Sequence, residues 1–165
     1  MNGPRVTCTD DRTVEGVTVD LERCAALART VLVGEGAPAN VALDMALVDR
    51  SVIAELNEHH LGGTGPTDVL SFPMFESDEL DGLDRDDDEA EPAMLGDIVV
   101  CIEVVDERRG AEGLDDAADL MIVHGTLHIL GHDHDIAERA AIMRAKESHY
   151  LGRSTPTAAP GEDRL

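Results

Sequence analysis

Lysine and aromatic side chains are what this sequence most lacks. Lys146 is the single lysine, tryptophan is absent, and Phe72, Phe75 and Tyr150 supply all the phenyl and phenol rings. Three such rings cannot build the stacking platform on which OB or RRM domains lay bases, so that style of base reading is excluded. Cations are scarce as a class. Thirteen Lys and Arg against 35 Asp and Glu give a formal charge of −22, which excludes passive adhesion to nucleic acid or anionic lipid through a broadly basic surface. Cys8, Cys24 and Cys101 are odd in number and form no CxxC spacing. A disulfide framework or thiolate zinc site is therefore not expected, and the three read as small buried hydrophobes. No apolar run approaches the length of a membrane span, and the opening MNGPRVTCTDDR has no apolar signal-peptide core. The expectation is a cytoplasmic chain without a membrane partner.

What is present fits one globular domain. The chain has 165 residues, 42% hydrophobic and 29% charged, enough for a single core. Asp supplies 20 of the acids and Arg 12 of the cations, a balance that suits a high-salt interior or a strongly acidic proteome. From Val17, the positions Leu21, Cys24, Ala25, Ala28, Val31 and Leu32 recur at helical spacing, with Asp20 as N-cap and Gly34 as stop. Asn40–Val48 and Thr67–Phe72 read as strands, the second closed by Pro73. Between them, Asp49 or Ser51 caps a short helix carrying Ile53, Leu56 and His60, and Gly62–Pro66 is a loop. Residues 76–91 hold ten acids and one Arg, read as a solvated loop at about 76–92 with no core of its own. Leu95–Cys101 is expected as a buried strand and Val104–Gly113 as a charged surface helix. A helix from Asp115 through Leu130, apolar on nearly every side, belongs at the centre. A last helix spans Asp135–Leu151. The domain is thus residues 1–152, followed by a disordered tail at 153–165.

Four of the seven histidines, His124, His128, His132 and His134, fall in the string HGTLHILGHDH. His124 and His128 are four apart on the central helix, so their side chains emerge one above the other, about 5–6 Å apart at Cβ and within span of one metal ion. The third ligand is His132 if the helix is unbroken, or His134 if Gly131 ends it in a left-handed cap and swings the chain back. We favour His134. Three neutral imidazoles suit one Zn²⁺ per chain with a fourth position for water, whose pKa the metal lowers to about 7; nickel, copper and iron also accept such a set. Beyond that water, no catalytic group is specified. The H-x3-H-x5-H spacing matches metzincin proteases, but the Glu they need after the first His is Gly125 here, so the base of a zinc peptidase is missing.

HGTLHILGHDH, together with PTDVLSFP at Pro66–Pro73 and LGDIVV at Leu95–Val100, resembles the YbeY family of endoribonucleases over about Asn40–Leu151. The resemblance implies a single-domain α+β fold with a small mixed β-sheet and helices packed on it, the central helix carrying the metal-binding histidines. It implies zinc held by His124, His128 and His134, with His132 at a variable position. It further implies cleavage of single-stranded RNA, maturation of the 16S rRNA 3′ end and ribosome quality control, with the ribosome or its proteins as possible partners. In one respect the chain departs from the pattern: where the family often carries an Arg shortly before PTDVLSFP, Leu61 stands. Phosphate would then be held by the zinc, by backbone N–H groups of Gly62–Gly65, or by Arg108, Arg109, Arg139 or Arg144.

The reaction expected is metal-assisted phosphodiester hydrolysis, or metal-assisted attack by the RNA 2′-OH. Asp97, Asp133 and Asp68 are candidates to orient a ligand histidine through its second nitrogen; turn or capping roles are the alternative for Asp133 and Asp68, and an edge-strand carboxylate for Asp97. Ser71 and Thr67 are candidate substrate contacts or plain strand hydroxyls, and His59, His60 and His149 read as rim or surface residues. Two rivals stand beside the endoribonuclease: a zinc hydrolase of another bond, and a non-enzymatic ribosome assembly factor with a structural zinc. The acid excess argues against neither RNA reading, only against gathering RNA by general surface attraction.

Overall fold

Burial alternates along residues 41–47, and in the computed structural model, which describes residues 3–83 and 91–153, this segment is a strand. Val41, Leu43, Met45 and Leu47 are buried on one face while Ala42, Asp44 and Ala46 turn to the other. This strand, β2 (Val41–Leu47), is paired in parallel with β1 (Arg5–Asp10) and with β4 (Ala93–Val100). β3 (Val69–Pro73) runs antiparallel on the far side of β4, giving the order β1-β2-β4-β3. The architecture is the single α+β domain with a small mixed sheet that the family resemblance implies.

Helices cover both faces unequally. α1 (Leu21–Gly34) and α5 (Leu114–Ile129) lie on the face that presents Leu43, Met45, Ile98 and Val100, and form the main core with them. Side chains fully buried there, such as Leu43 and Ile98, each contribute about 1.5–3 kcal/mol relative to exposure. The opposite face carries a smaller core of Ile53 from α2 (Arg50–Leu61), Leu70, Cys101 and Val104. α6 (Ala137–Leu151) packs outside α1 and α5 through Val31, Val123, Leu127 and Met143. Asp20 caps α1 by accepting from Arg23 N, as its position predicts. Asp49 stands at the N-cap of α2 but does not cap it: the carboxylate accepts instead from Thr13 N and Thr13 Oγ1, at 2.9 and 2.6 Å, stapling residues 13–14 to the helix start.

The sheet depends on one glycine. Register passes from Ala42 opposite Met94 to Leu43 opposite Gly96, so Leu95 is an extra residue, a β-bulge. Gly96 has φ +150, and a Cβ there would run into the Phe72 carbonyl oxygen, with Pro73 Cα at 3.0 Å.

Three expectations need correction, and β1 is a strand that the sequence pattern does not announce. α4 (Ile102–Arg108) starts earlier than Val104 and buries Ile102, Val104 and Val105, so it is a core helix with one charged side. The acidic run is partly structured: a Glu76/Glu79 capping box starts α3 (Ser77–Leu80), a 3₁₀ turn follows at Asp81–Leu83, Leu83 is buried and Leu80 packs on the main core. Arg153, placed by sequence in the tail, reaches Glu112 at 3.1 Å and the Asp116 carbonyl. Residues 84–90 of the acidic loop and 154–165 of the tail lie outside the described residues.

The cations are largely engaged. Among the described residues, Arg12, Arg23, Arg50, Arg108, Arg109, Arg139 and Arg153 each face a carboxylate, and Lys146 faces Glu35.

Candidate metal centre

α5 ends in a Schellman motif that shapes the site. Gly131 N donates to His128 O and His132 N to Leu127 O, both at 3.0 Å, with Gly131 at φ +89. The helix therefore stops at the glycine, as the sequence reading supposed, and the chain folds back. A Cβ on Gly131 would lie 2.6 Å from Ser77 Cβ, so this turn is pressed against the first residue of α3.

The reversal brings His134 to His124 and His128. One ring nitrogen from each lies within 4.8 Å of the others, a group able to hold a metal ion. The ring centroids are 4.5 Å apart for His124 and His128, 5.1 Å for His128 and His134, and 5.5 Å for His124 and His134. His132 points elsewhere, its Nε2 3.0 Å from Glu35 Oε2.

The outward nitrogens fix the tautomers. His124 Nδ1 lies 2.6 Å from Glu147 Oε1, and His128 Nδ1 lies 2.9 Å from the His132 carbonyl. A carboxylate and a carbonyl only accept, so both Nδ1 atoms carry the proton and, in the neutral rings, both Nε2 atoms present lone pairs. Those two Nε2 atoms are 3.0 Å apart. Two inward nitrogens this close, with His134 beside them, can share one cation, and an imidazole donor set fits a borderline-soft divalent metal.

Electrostatics keeps this ready. Burial, then the neighbouring His124 and His134, pushes His128 down to about 4, so the ring is neutral at pH 7. Its folded pKa lies below the unfolded value, about 6.5, so the metal-free chain resists the proton that the unfolded chain accepts. That stability is complete above about pH 6.5 and is lost as pH falls toward 4. His128→Gln should flatten this part of the curve of metal-free stability against pH, measured by urea denaturation between pH 4 and 7. An unchanged slope would show that His128 does not titrate this way.

The carboxylates chosen from sequence do other work. Asp133 Oδ1 accepts from His134 N at 2.7 Å, a local turn bond. Asp68 accepts from Val69 N and faces Arg108 at 3.5 Å. Asp97 sits opposite Asp44 on the sheet face turned away from α5, in a cavity with Thr7, Thr9 and His60, where burial and then Asp44 push its carboxyl up. None of the three accepts from a ring nitrogen of the cluster. Glu147 does, from another helix and outside the three motifs that hold those aspartates. The signal for it was a carboxylate on the same side of α6 as Met143, four residues earlier, and Tyr150, three later. Ser71 Oγ donates to Gly125 O at 3.0 Å, tying β3 to α5, and Thr67 is buried with its hydroxyl directed at Asp68. His60 lies edge-on to Phe72, and His59 and His149 are exposed.

A family model described as Endoribonuclease YbeY matches residues 9–155. The chain belongs to the YbeY endoribonuclease family. Endoribonuclease YbeY of Salinispora tropica is 41% identical over 145 residues, covering 85% of this chain and 92% of the relative. That of Acidothermus cellulolyticus is 42% identical over 141 residues, covering 82% and 84%. The solution structure of TM1509 from Thermotoga maritima superposes with a TM-score of 0.57 at 26% identity, covering 88% of this chain and 86% of that one. In this YbeY-family chain the position after the first histidine, Gly125, faces the sheet: a Cβ would lie 3.1 Å from Ile98 and 3.2 Å from Ser71 Oγ. A side chain there would be tight against the sheet, and the glutamate that a zinc peptidase needs is absent. No helix among the described residues is long and apolar enough to cross a membrane.

Proposed function

We propose that this chain is a zinc-dependent, single-strand-specific endoribonuclease of ribosome biogenesis, working in the cytoplasm on the 16S rRNA 3′ end and in ribosome quality control. The observation that carries the metal reading is the pair of Nε2 lone pairs on His124 and His128, 3.0 Å apart with His134 beside them. His124, His128 and His134 would hold the zinc. When bound it supplies a Lewis acid for a phosphoryl oxygen and lowers the pKa of water to about 7. The protein's own part is preparation. Glu147 and the His132 carbonyl hold two rings with Nε2 inward, and the low pKa of His128 keeps protons from competing for that nitrogen at neutral pH. The packing of Gly125 on Ile98 and Ser71 favours a phosphodiester over an amide substrate, since no general base projects from that position.

The test is one preparation assayed three ways: as purified, after chelation, and after zinc is restored. Mass spectrometry should find one metal ion per chain. Single-stranded rRNA fragments should be cut and duplexes spared, with cleavage lost on chelation and regained with zinc. Undiminished cleavage by metal-free protein overturns the proposal; metal-bound protein that never cuts points to an assembly factor instead.

A further inference from the structure

Outside the histidine cluster, the most densely bonded carboxylate among the described residues is Glu35, at the C-cap of α1. Its oxygens receive Lys146 Nζ at 2.8 and 3.0 Å, Tyr150 Oη at 2.8 Å and His132 Nε2 at 3.0 Å. The side chain is only 11% exposed. Burial pushes its carboxyl up, and the hydrogen bonds from Lys146, Tyr150 and His132 outweigh that and hold it below its ordinary range. It is therefore an anion at neutral pH, and His132 meets it through a protonated Nε2.

His132 has two ends in this arrangement. Its ring is tied to Glu35, and its backbone carbonyl accepts His128 Nδ1–H. The backbone of that residue is otherwise held by one bond, His132 N to Leu127 O, across a turn whose pivot is a glycine. Gly131 itself packs on Ser77, but the His132 carbonyl lies beyond that contact, and its direction follows how the His132 side chain is held.

We propose that Glu35 is a positioning residue for the metal centre: by gripping the His132 ring it fixes the carbonyl that sets the tautomer and orientation of His128. α1, which supplies no residue to the cluster, thereby governs how one of its three imidazoles presents its lone pair. Lys146 and Tyr150 hold the carboxylate in place from α6, the same helix that delivers Glu147 to His124, so both buttresses are anchored to one element. The proposal rests on the reading that the cluster binds a metal, and its first readout does not need one.

The experiment uses the full chain and three variants: Glu35→Gln, Lys146→Met and His132→Ala, with the double variant Glu35→Gln/His132→Ala. In metal-free protein, long-range ¹⁵N–¹H NMR of the imidazoles reports the tautomer of His128. Wild type should show the proton on Nδ1, and Glu35→Gln a mixture of tautomers. Cobalt titration followed by visible absorption should then show affinity falling roughly 10–100-fold in Glu35→Gln, the range for loss of a supporting hydrogen bond to a ligand. Lys146→Met loosens the same hub but leaves the Glu35–His132 bond, so it should melt earlier with tautomer and affinity near wild type. Adding Glu35→Gln to His132→Ala should change neither readout further, because the effect passes through His132. Unaltered His128 signals in Glu35→Gln, or equal effects of Glu35→Gln and Lys146→Met on the tautomer, overturn the proposal. Wild type that takes up neither cobalt nor zinc overturns the metal reading instead, and the tautomer measurement still decides the role of Glu35.

Discussion

His128→Ala should release the metal and bring RNA cleavage down to background while the chain remains folded. The ring supplies one of the two Nε2 lone pairs that face each other at 3.0 Å, and its removal leaves His124 without the partner that defines the site. Losing a ligand costs more affinity than the roughly 10–100-fold that follows loss of a supporting hydrogen bond. The folding cost is smaller: one hydrogen bond to the His132 carbonyl, worth about 1 kcal/mol, plus a modest loss of packing. Two measurements separate the effects. Zinc at about 100 times its dissociation constant stabilises wild type by about 2.7 kcal/mol, a rise in Tm of roughly 5–10 °C for a chain of this size. The variant should show no such rise. Cleavage retained by His128→Ala would sink the catalytic-metal reading.

Gly96→Ala should be the most damaging single-methyl change in the sheet, costing about 3 kcal/mol or more. The backbone there is at φ +150, a region closed to side chains, and the added Cβ meets backbone on one side and Ile129 Cδ1 at 2.9 Å on the other. The backbone contact cannot retreat cheaply, and Ile129 is itself buried, only 1% exposed. The Phe72 carbonyl belongs to the β3–β4 pair, and Ile129 is the last residue of α5, immediately before the turn that returns His134. The midpoint in urea should fall at unchanged m, with metal affinity falling as well because the end of α5 is displaced. A stability within about 0.5 kcal/mol of wild type, the range of a neutral surface change, would show that the bulge is not rigid.

The main features were readable where one residue's chemistry dictates its surroundings. Alternation in Asn40–Val48 and the apolar circumference of α5 each have a single reading, the glycine after Leu130 favours His134 over His132, and each corresponds to what forms. The misses share a cause. β1, with Arg5, Thr7, Thr9 and Asp10 exposed, offers only Val6 and Cys8 to the core, so its identity as a strand comes from pairing with β2, which local sequence does not encode. Leu80 and Leu83 were outvoted by ten acids, although two leucines suffice to anchor a short turn on an existing core. The partners of the ring nitrogens are expected at Asp133, beside the histidines, and at Asp97 and Asp68, in the two other motifs. They came instead from α6 and from a main-chain carbonyl, placements that depend on tertiary packing and on backbone direction.

The pairing of the arginines has a thermodynamic consequence for any polyanion. A single strand gains affinity in dilute salt by shedding condensed counterions, about 0.7 of an ion for each phosphate that a protein cation neutralises. Here three of the four arginines named as phosphate candidates, Arg108, Arg109 and Arg139 but not the exposed Arg144, already face Asp68, Asp106 and Asp135, so a phosphate arriving at those three exchanges with a carboxylate and releases little. Hold on RNA should then vary only gently with electrolyte concentration, which is the behaviour an enzyme needs if it is to work where ions are abundant.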